Sequence, residues 1–140
     1  MKKLFLFAFI FFFINCKKDL KSKKESLLDF NQFFEKFATD SIYQKEHIKF
    51  PLKCLFYDNA NYEKLETELI ASKSDFRYID FSKDSKAMNQ ETDKFTIEKE
   101  KIKQGLIYKR VGYDNGIYQL YEFKVIENCW YLIKITDEST

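Results

Sequence analysis

The chain has a single histidine, His47, and this limits the catalytic chemistry that its side chains could perform. Any Ser-His-Asp or Cys-His mechanism would have to use that imidazole as its base. His47 lies near the end of a predicted short helix, where a histidine is more often a surface or capping residue. One histidine and three scattered cysteines also provide no zinc-ligand spacing, and three glycines form no phosphate-binding loop. We therefore predict no catalytic constellation, no metal site and no cofactor, and a protein that is not an enzyme.

Residues 1–15 have the pattern of a secretion signal. Lys2 and Lys3 form a positive start, and an unbroken apolar run follows over residues 4–14. As a helix this run would be about 16 Å long, roughly half the thickness of a bilayer core. We therefore predict a signal peptide over residues 1–15 rather than a transmembrane anchor.

Cys16 stands directly after the apolar run, in the stretch Phe13-Ile14-Asn15-Cys16, which resembles the lipobox of bacterial lipoproteins. Ordinary signal peptides end on small residues, which Phe13 and Asn15 are not. The usual lipobox also has a small residue where this chain has Asn15. The resemblance implies a diacylglyceryl group with palmitate-length chains on the Cys16 sulfur, which would anchor the chain in the lipid bilayer. The alternative is an ordinary secreted protein in which Cys16 is incidental.

The residues that follow divide into a tether and one domain. Residues 17–26 are polar and rich in lysine, so we predict a lipidated cysteine with a flexible basic tether over 16–26, and a single domain over 27–140. Loss of residues 1–15 removes only Lys2 and Lys3, which leaves 22 basic and 22 acidic side chains. This balance argues against nucleic-acid binding, which needs a concentrated positive face.

The first part of the domain is predicted to be helical. Phenylalanines at the i, i+3, i+4 and i+7 spacing of one helix face predict a first amphipathic helix with the stripe Phe30, Phe33, Phe34 and Phe37. Asp40 or Ser41 can cap a second helix, which ends near Glu46 and buries Ile42 and Tyr43. A further helix is predicted over residues 62–71.

Strand patterns account for most of the remainder. Strands are predicted over residues 52–57, 76–81, 95–102, 106–113, 117–126 and 129–136, with a long surface loop over 82–92. Asn115-Gly116 and Glu127-Asn128 are predicted turns, and Gly112 is a candidate bulge. Helices that precede an antiparallel meander indicate an α+β domain, with the helices packed on one face of a bent sheet.

Cys54 and Cys129 each lie in a predicted apolar strand. In an oxidising compartment an even pair of cysteines is a candidate disulfide, but two buried free thiols fit the same pattern. A disulfide also requires a short Cα separation. We favour free thiols and keep the bridge between Cys54 and Cys129 as the alternative.

Two stretches of the domain resemble a family of Bacteroides-group lipoproteins of unknown function. The first runs from Asp29-Phe30 through Phe37 and Gln44 to Pro51-Leu52, and the second comprises Tyr121-Glu122-Phe123 with Trp130-Tyr131-Leu132. The resemblance implies a nuclear transport factor 2-like (NTF2-like) fold, a cone in which helices pack on a strongly curved antiparallel sheet. It also implies that the first and last strands are neighbours, which would bring Cys54 and Cys129 onto adjacent strands.

Enzymes with the NTF2-like fold place an acid, a histidine or a tyrosine inside the cone, so the resemblance implies Asp40, Tyr43 and His47 as candidate pocket residues. The fold by itself fixes no function. We expect a non-catalytic binding or interaction domain, anchored in a bacterial envelope and directed at an envelope protein. The alternatives are a protein that holds a small apolar ligand, or an isomerase- or dehydratase-type enzyme. With one acidic residue, Asp19, just after Cys16, we expect the anchor to face the periplasm.

Overall fold

The computed structural model describes residues 30–58 and 61–140. The predicted signal peptide, Cys16 and the tether lie outside the described residues. The described elements are two α-helices, six strands and a 3₁₀ helix, in the order α1 Phe30–Thr39, α2 Ser41–Glu46, β1 Ile48–Asp58, β2 Asn61–Ile70, the 3₁₀ helix Asp84–Asn89, β3 Phe95–Ile102, β4 Gly105–Gly112, β5 Tyr118–Ile126 and β6 Cys129–Asp137. Across these ranges, no helix is long and apolar enough to cross a membrane.

Helix α1 forms where the phenylalanine stripe predicts it. Phe30, Phe33 and Phe37 are buried and Phe34 is half-buried, while the residues between them are mostly exposed. Each buried phenylalanine removes enough apolar surface from water to contribute about 1.5–3 kcal/mol of stability. The stripe therefore holds this short helix against the sheet, since ten residues alone would be marginally helical.

Helix α2 begins after Asp40, one of its two predicted caps. The Asp40 carboxylate accepts hydrogen bonds from the backbone N–H groups of Ile42 and Tyr43, at 2.9 and 3.0 Å. The predicted burial of Ile42 is wrong, because this side chain is 71% exposed. Gln44 is buried instead, and its amide donates to the carbonyls of Phe37 and Ile79 while accepting from the Ile79 N–H. A polar side chain thus joins α2 to α1 and to the segment after β2.

The six strands form one mixed sheet in the order β2-β1-β6-β5-β4-β3. The first and last strands are neighbours, as predicted, but they run parallel, and every other pair is antiparallel. The face covered by α1 carries Tyr108, Tyr121 and Phe123, all buried, and is called the inner face below. Irregular pairing between Tyr57 and Asp58 and between Glu122 and Phe123 bends the sheet.

The helix predicted over residues 62–71 is wrong, because Asn61–Ile70 is a strand. It pairs antiparallel with β1 from Asp58 to Leu52, so its backbone hydrogen bonds are satisfied by a neighbour rather than within a helix. Helix-forming residues such as Glu63 and Leu65 are weak determinants when tertiary pairing is available.

Two further predictions between β2 and β3 are wrong. Residues 76–81 are not a strand, although Phe76 and Phe81 are buried in the core. The stretch 82–92 is more than a surface loop, because it contains the 3₁₀ helix and the buried residues Asp84 and Ala87. Aromatic side chains and one carboxylate, rather than a backbone ladder, fix this segment to the domain.

The turns of the meander agree with the sequence except at Gly112. Glu127 and Asn128 both have positive φ and join β5 to β6 as predicted. In the β4–β5 connection the Gly112 N–H donates to the Ile117 carbonyl at 2.7 Å. Gly112 is not a bulge, since it pairs regularly with Phe95. A Cβ there would overlap the Asn115 side-chain oxygen, so this turn requires glycine.

Candidate functional site

The space between α1 and the inner face is filled by the chain's own aromatic rings. Phe123 is completely buried, and its ring centroid lies 5.2 Å from that of Phe37 and 5.4 Å from that of Phe30. Phe30 also contacts Trp130 at 4.9 Å, and Phe34 stacks on Tyr108 at 4.4 Å. Rings at these distances are in direct contact, and most of the close pairs are edge-to-face or offset. This part of the cone is a packed core.

Beyond these rings the inner face becomes polar at Arg110 and Gln119. These two residues are directly opposite each other on β4 and β5. They lie two residues along each strand from the directly opposite pair Tyr108 and Tyr121. Because side chains alternate along a strand, all four lie on the same face. The register of β4 against β5 therefore places a guanidinium, an amide and two phenols together.

Asp84 completes this cluster from the 3₁₀ helix. Its two carboxylate oxygens accept hydrogen bonds from Arg110 Nε at 2.9 Å and Nη2 at 2.8 Å, a bidentate ion pair. The Tyr108 hydroxyl donates to the same carboxylate at 2.8 Å. The side chains of Arg110 and Asp84 are only 13% and 6% exposed. Charges this deeply buried are stabilised only when they are paired and hydrogen-bonded, as these are.

The remaining donors of Arg110 also have partners. Nη2 donates to the Asp80 carbonyl at 2.9 Å, and Nη1 lies 3.2 Å from the Tyr121 hydroxyl and 3.3 Å from Gln119 Oε1. The guanidinium carbon lies 4.7 Å from the centre of the Phe81 ring. Asp84, Tyr108, Arg110, Gln119 and Tyr121 are called the Arg110 cluster below. It is a hydrogen-bonded network that joins the 3₁₀ segment to the sheet.

Both tyrosines of the cluster are held in their neutral form. Burial, more than the nearby charge of Asp84, raises the pKa of the Tyr108 phenol. Burial also raises the pKa of Tyr121 to about 12, against the lowering influence of the Arg110 guanidinium. At neutral pH these hydroxyls can donate and accept hydrogen bonds, but neither is poised to act as a base.

The residues predicted to line a pocket are placed in two different roles. Tyr43 and His47 are half-buried and stack with ring centroids 3.9 Å apart, and His47 Nδ1 lies 2.9 Å from the Tyr43 carbonyl. Asp40 is exposed and its carboxylate caps α2. The structure thus brings Tyr43 and His47 together, while Asp40 faces backbone N–H groups. Among the described residues, no group of three or more His, Cys, Asp or Glu side chains could hold a metal ion.

Cys54 and Cys129 are not bonded to each other. Cys54 carries a free thiol and is opposite Ile135, six residues along β6 from Cys129. Six residues of strand span about 20 Å, far beyond the Cα separation of a disulfide. The prediction of neighbouring strands is correct, but the register separates the two cysteines.

The Arg110 cluster was not predicted from the sequence. Leu106, Tyr108 and Arg110 alternate along β4, and this alternation alone would have placed Arg110 on the buried face. Asp84 gives no comparable signal, because it lies in a polar stretch of the chain, 26 residues from its partner.

Comparison with solved structures identifies the architecture. An NTF2-like protein from Bacteroides fragilis matches with a TM-score of 0.56 and 20% identity, over 89% of this chain and 50% of that protein. A cystatin-like protein from Bacteroides caccae matches with a TM-score of 0.56 and 18% identity, over 76% of this chain and 74% of its own. The chain thus spans half the length of the first. No protein-family profile matches the chain, and no curated protein matches it. At these identities the likeness concerns the fold alone, so the chain has the NTF2-like α+β cone fold.

The buried ion pair predicts strong energetic coupling between Asp84 and Arg110. Asp84→Asn removes one charge and leaves the guanidinium buried without a counter-ion, which should cost about 3–5 kcal/mol of unfolding free energy. Arg110→Met should cost a similar amount for the converse reason. The double variant should recover much of the loss, because no unpaired charge remains. Urea unfolding of the wild type, both single variants and the double variant measures the coupling.

Glu100→Gln is the matched control, since it removes the Lys109–Glu100 ion pair, whose carboxylate is 54% exposed. This variant should unfold close to the wild type. Additive losses in the double variant would contradict the coupling of Asp84 and Arg110.

The raised pKa of Tyr121 predicts a loss of stability in alkali. An unfolded tyrosine has a pKa of about 10, against about 12 for Tyr121 in the folded chain. The folded state therefore holds this proton more tightly, and stability falls as the pH rises from 10 toward 12. Tyr121→Phe should show a shallower fall over this range, measured by denaturant unfolding at each pH. Equal slopes would contradict the raised pKa, and phenolate absorbance provides an independent titration.

Proposed function

We propose that the chain is a lipid-anchored protein of the bacterial cell envelope, and that its NTF2-like domain is a non-catalytic binding or interaction domain. The observation that carries this proposal is the filled inner face. Phe30, Phe34, Phe37 and Phe123 occupy the space where an NTF2-like cone could hold a substrate. A packed interior leaves the outer surface and the sheet edges as the parts available for binding.

The Arg110 cluster supports the same conclusion. Its guanidinium donates hydrogen bonds to the side chains of Asp84, Gln119 and Tyr121 and to the backbone carbonyl of Asp80. General acid–base chemistry benefits from a group whose pKa is near the working pH. The raised pKa values of Tyr108 and Tyr121 move both phenols away from that range. The cluster is better suited to fixing the 3₁₀ segment than to moving protons.

A small-molecule pocket, or an isomerase- or dehydratase-type enzyme, is the second candidate. The observation in its favour is the same guanidinium, which faces two neutral hydroxyls on the inner face. If Asp84 were displaced, Arg110 with Tyr108 and Tyr121 could bind a carboxylate in its place, because Arg forms bidentate pairs with carboxylates.

The anchor rests on Cys16 and the apolar run that precedes it. Two acyl chains on one cysteine give stable membrane attachment without a spanning helix. A lipid thioether on Cys16 excludes a disulfide at the same sulfur. Anchoring of this kind would keep the domain at a membrane surface, most simply on the periplasmic side.

The lipid anchor predicts a distinctive mass and label. The wild-type chain, expressed in a Bacteroides host, should begin at Cys16, carry the mass of an acylated cysteine and incorporate labelled palmitate. Cys16→Ala should keep its signal peptide and remain unlabelled, while Cys54→Ala should behave as the wild type. Intact-mass spectrometry and the label decide the outcome. An unacylated Cys16 found in a disulfide with Cys129 would overturn the anchor.

The filled interior predicts that the wild-type chain binds no small aromatic molecule. Phe123→Ala removes a fully buried ring, so it should lose about 3–5 kcal/mol and open an apolar cavity that accepts benzene. Thermal unfolding with and without benzene measures both effects. Tyr113→Ala, at a 56% exposed site, is the control and should bind none.

If Phe123→Ala does not fold, Phe123→Leu provides a smaller cavity for the same measurement. Saturable binding of benzene by the wild type would contradict a filled interior and favour the second candidate.

A further inference from the structure

Strand β2 is one end of the sheet, and its residues are unusual for an unpaired edge. Along its free side β2 has no neighbouring strand among the described residues, since its sole partner there is β1. Tyr62 and Leu69 are 53% and 59% exposed, two large apolar side chains on one edge strand. A long edge strand with exposed apolar residues is a template for pairing with another strand.

A second copy of the chain can join this edge around a two-fold axis. The two β2 strands then run antiparallel, and directly opposite residues lie on the same face of the joined sheet. With the axis at Leu65, each Lys64 is opposite the Glu66 of the other copy, so two ion pairs flank the axis. Both side chains are exposed, and within the described ranges neither has an ion-pair partner. Their charges are thus available for this contact.

Neighbouring registers place like charges on the axis. With the axis at Glu66, two Lys64–Glu68 pairs would form, but the two Glu66 carboxylates would face each other, and with the axis at Lys64 the two ammonium groups would do so. Like charges directly opposite are destabilising in a sheet. The charge pattern therefore selects the register in which Leu65 meets Leu65 and residues 62–68 of both copies are paired.

Strand β3, at the other end of the sheet, has the opposite property. Lys99 and Lys101 share one face and Glu98 and Glu100 share the other, because side chains alternate. A two-fold axis at Lys99 would place Glu98 directly opposite the second copy's Glu100. An axis at Glu100 would place Lys99 directly opposite the second copy's Lys101. The β3 edge therefore repels a copy of itself when its central residues are paired, as protected edges do.

We propose that two copies of the chain associate through their β2 edges, antiparallel around a two-fold axis at Leu65, to form one continuous sheet of twelve strands. Backbone hydrogen bonds between the two edges provide the attraction, and the Lys64–Glu66 pairs set the register. The contact leaves the inner face of each copy unchanged. This inference does not depend on the lipid anchor, whose test reads a mass and a label rather than an oligomeric state.

Charge reversal tests the proposed register. Each of the variants Lys64→Glu and Glu66→Lys puts like charges opposite each other in both contacts between positions 64 and 66. Each should therefore raise the dissociation constant of the dimer roughly 10- to 100-fold. The double variant restores opposite charges and should return to near wild-type affinity. Sedimentation velocity of the full-length chain in mild detergent, over a concentration series, measures the dissociation constants. Lys101→Glu makes the same charge change on the other edge and should leave the dimer intact.

Cysteine cross-linking provides a second measurement. Directly opposite residues in an antiparallel pair have Cα atoms about 4.5–5.5 Å apart, which a disulfide can bridge. Leu65→Cys should therefore form a covalent dimer on mild oxidation, and Thr96→Cys on β3 should not. A wild type that stays monomeric together with a Leu65→Cys that does not cross-link would overturn the proposal. A dimer that tolerates both single charge reversals would overturn it as well, because the copies would then meet elsewhere.

Discussion

The burial of one short helix on the inner face of the sheet is the interaction on which the fold depends. Helix α1 contributes Phe30, Phe33 and Phe37 to a core whose centre is Phe123. Phe123 sits beside Leu106 on β4 and Leu132 on β6, both buried, so the helix packs across the middle of the sheet. One of the irregularities in strand pairing, between Glu122 and Phe123, lies at this contact, and a bulge there can bend the sheet around the rings.

That packing has a consequence for chemistry. In an NTF2-like cone the space between helix and sheet is the natural place for a ligand, and here aromatic side chains occupy it. The polar residues of the inner face lie in the Arg110 cluster, beside the aromatic core. There the Arg110 guanidinium donates two hydrogen bonds to the carboxylate of Asp84, which lies outside the sheet. The 3₁₀ segment is therefore held by a charge pair at one end of an apolar core. In this chain the apolar part of the inner face is thus occupied by its own aromatic side chains.

The sequence predicted what local pattern controls and missed what long-range pairing controls. Periodic phenylalanines predicted α1, and Asp40 was one of the two predicted caps of α2. Alternation with turn residues predicted strands β3 to β6 close to their observed bounds. Residues 61–70 contain good helix formers, and they became a strand because β1 offers an edge next to them in the chain. The Asp84–Arg110 pair joins positions that share no periodic pattern, so only the folded arrangement brings them together.

The two ends of the sheet differ in how their charges are placed along the strand. This placement determines whether an edge strand would repel or attract a second copy of itself. Strand β3 segregates its charges by face, so a copy of itself meets like charge when the strand centres are paired. Strand β2 places Lys64 and Glu66 two residues apart on one face, and a two-fold axis between them turns that spacing into attraction. The same number of charges on either strand would satisfy solubility, so composition does not distinguish the edges. The order of the charges along the strand distinguishes the two edges, because antiparallel pairing reverses the sequence of the second copy relative to the first.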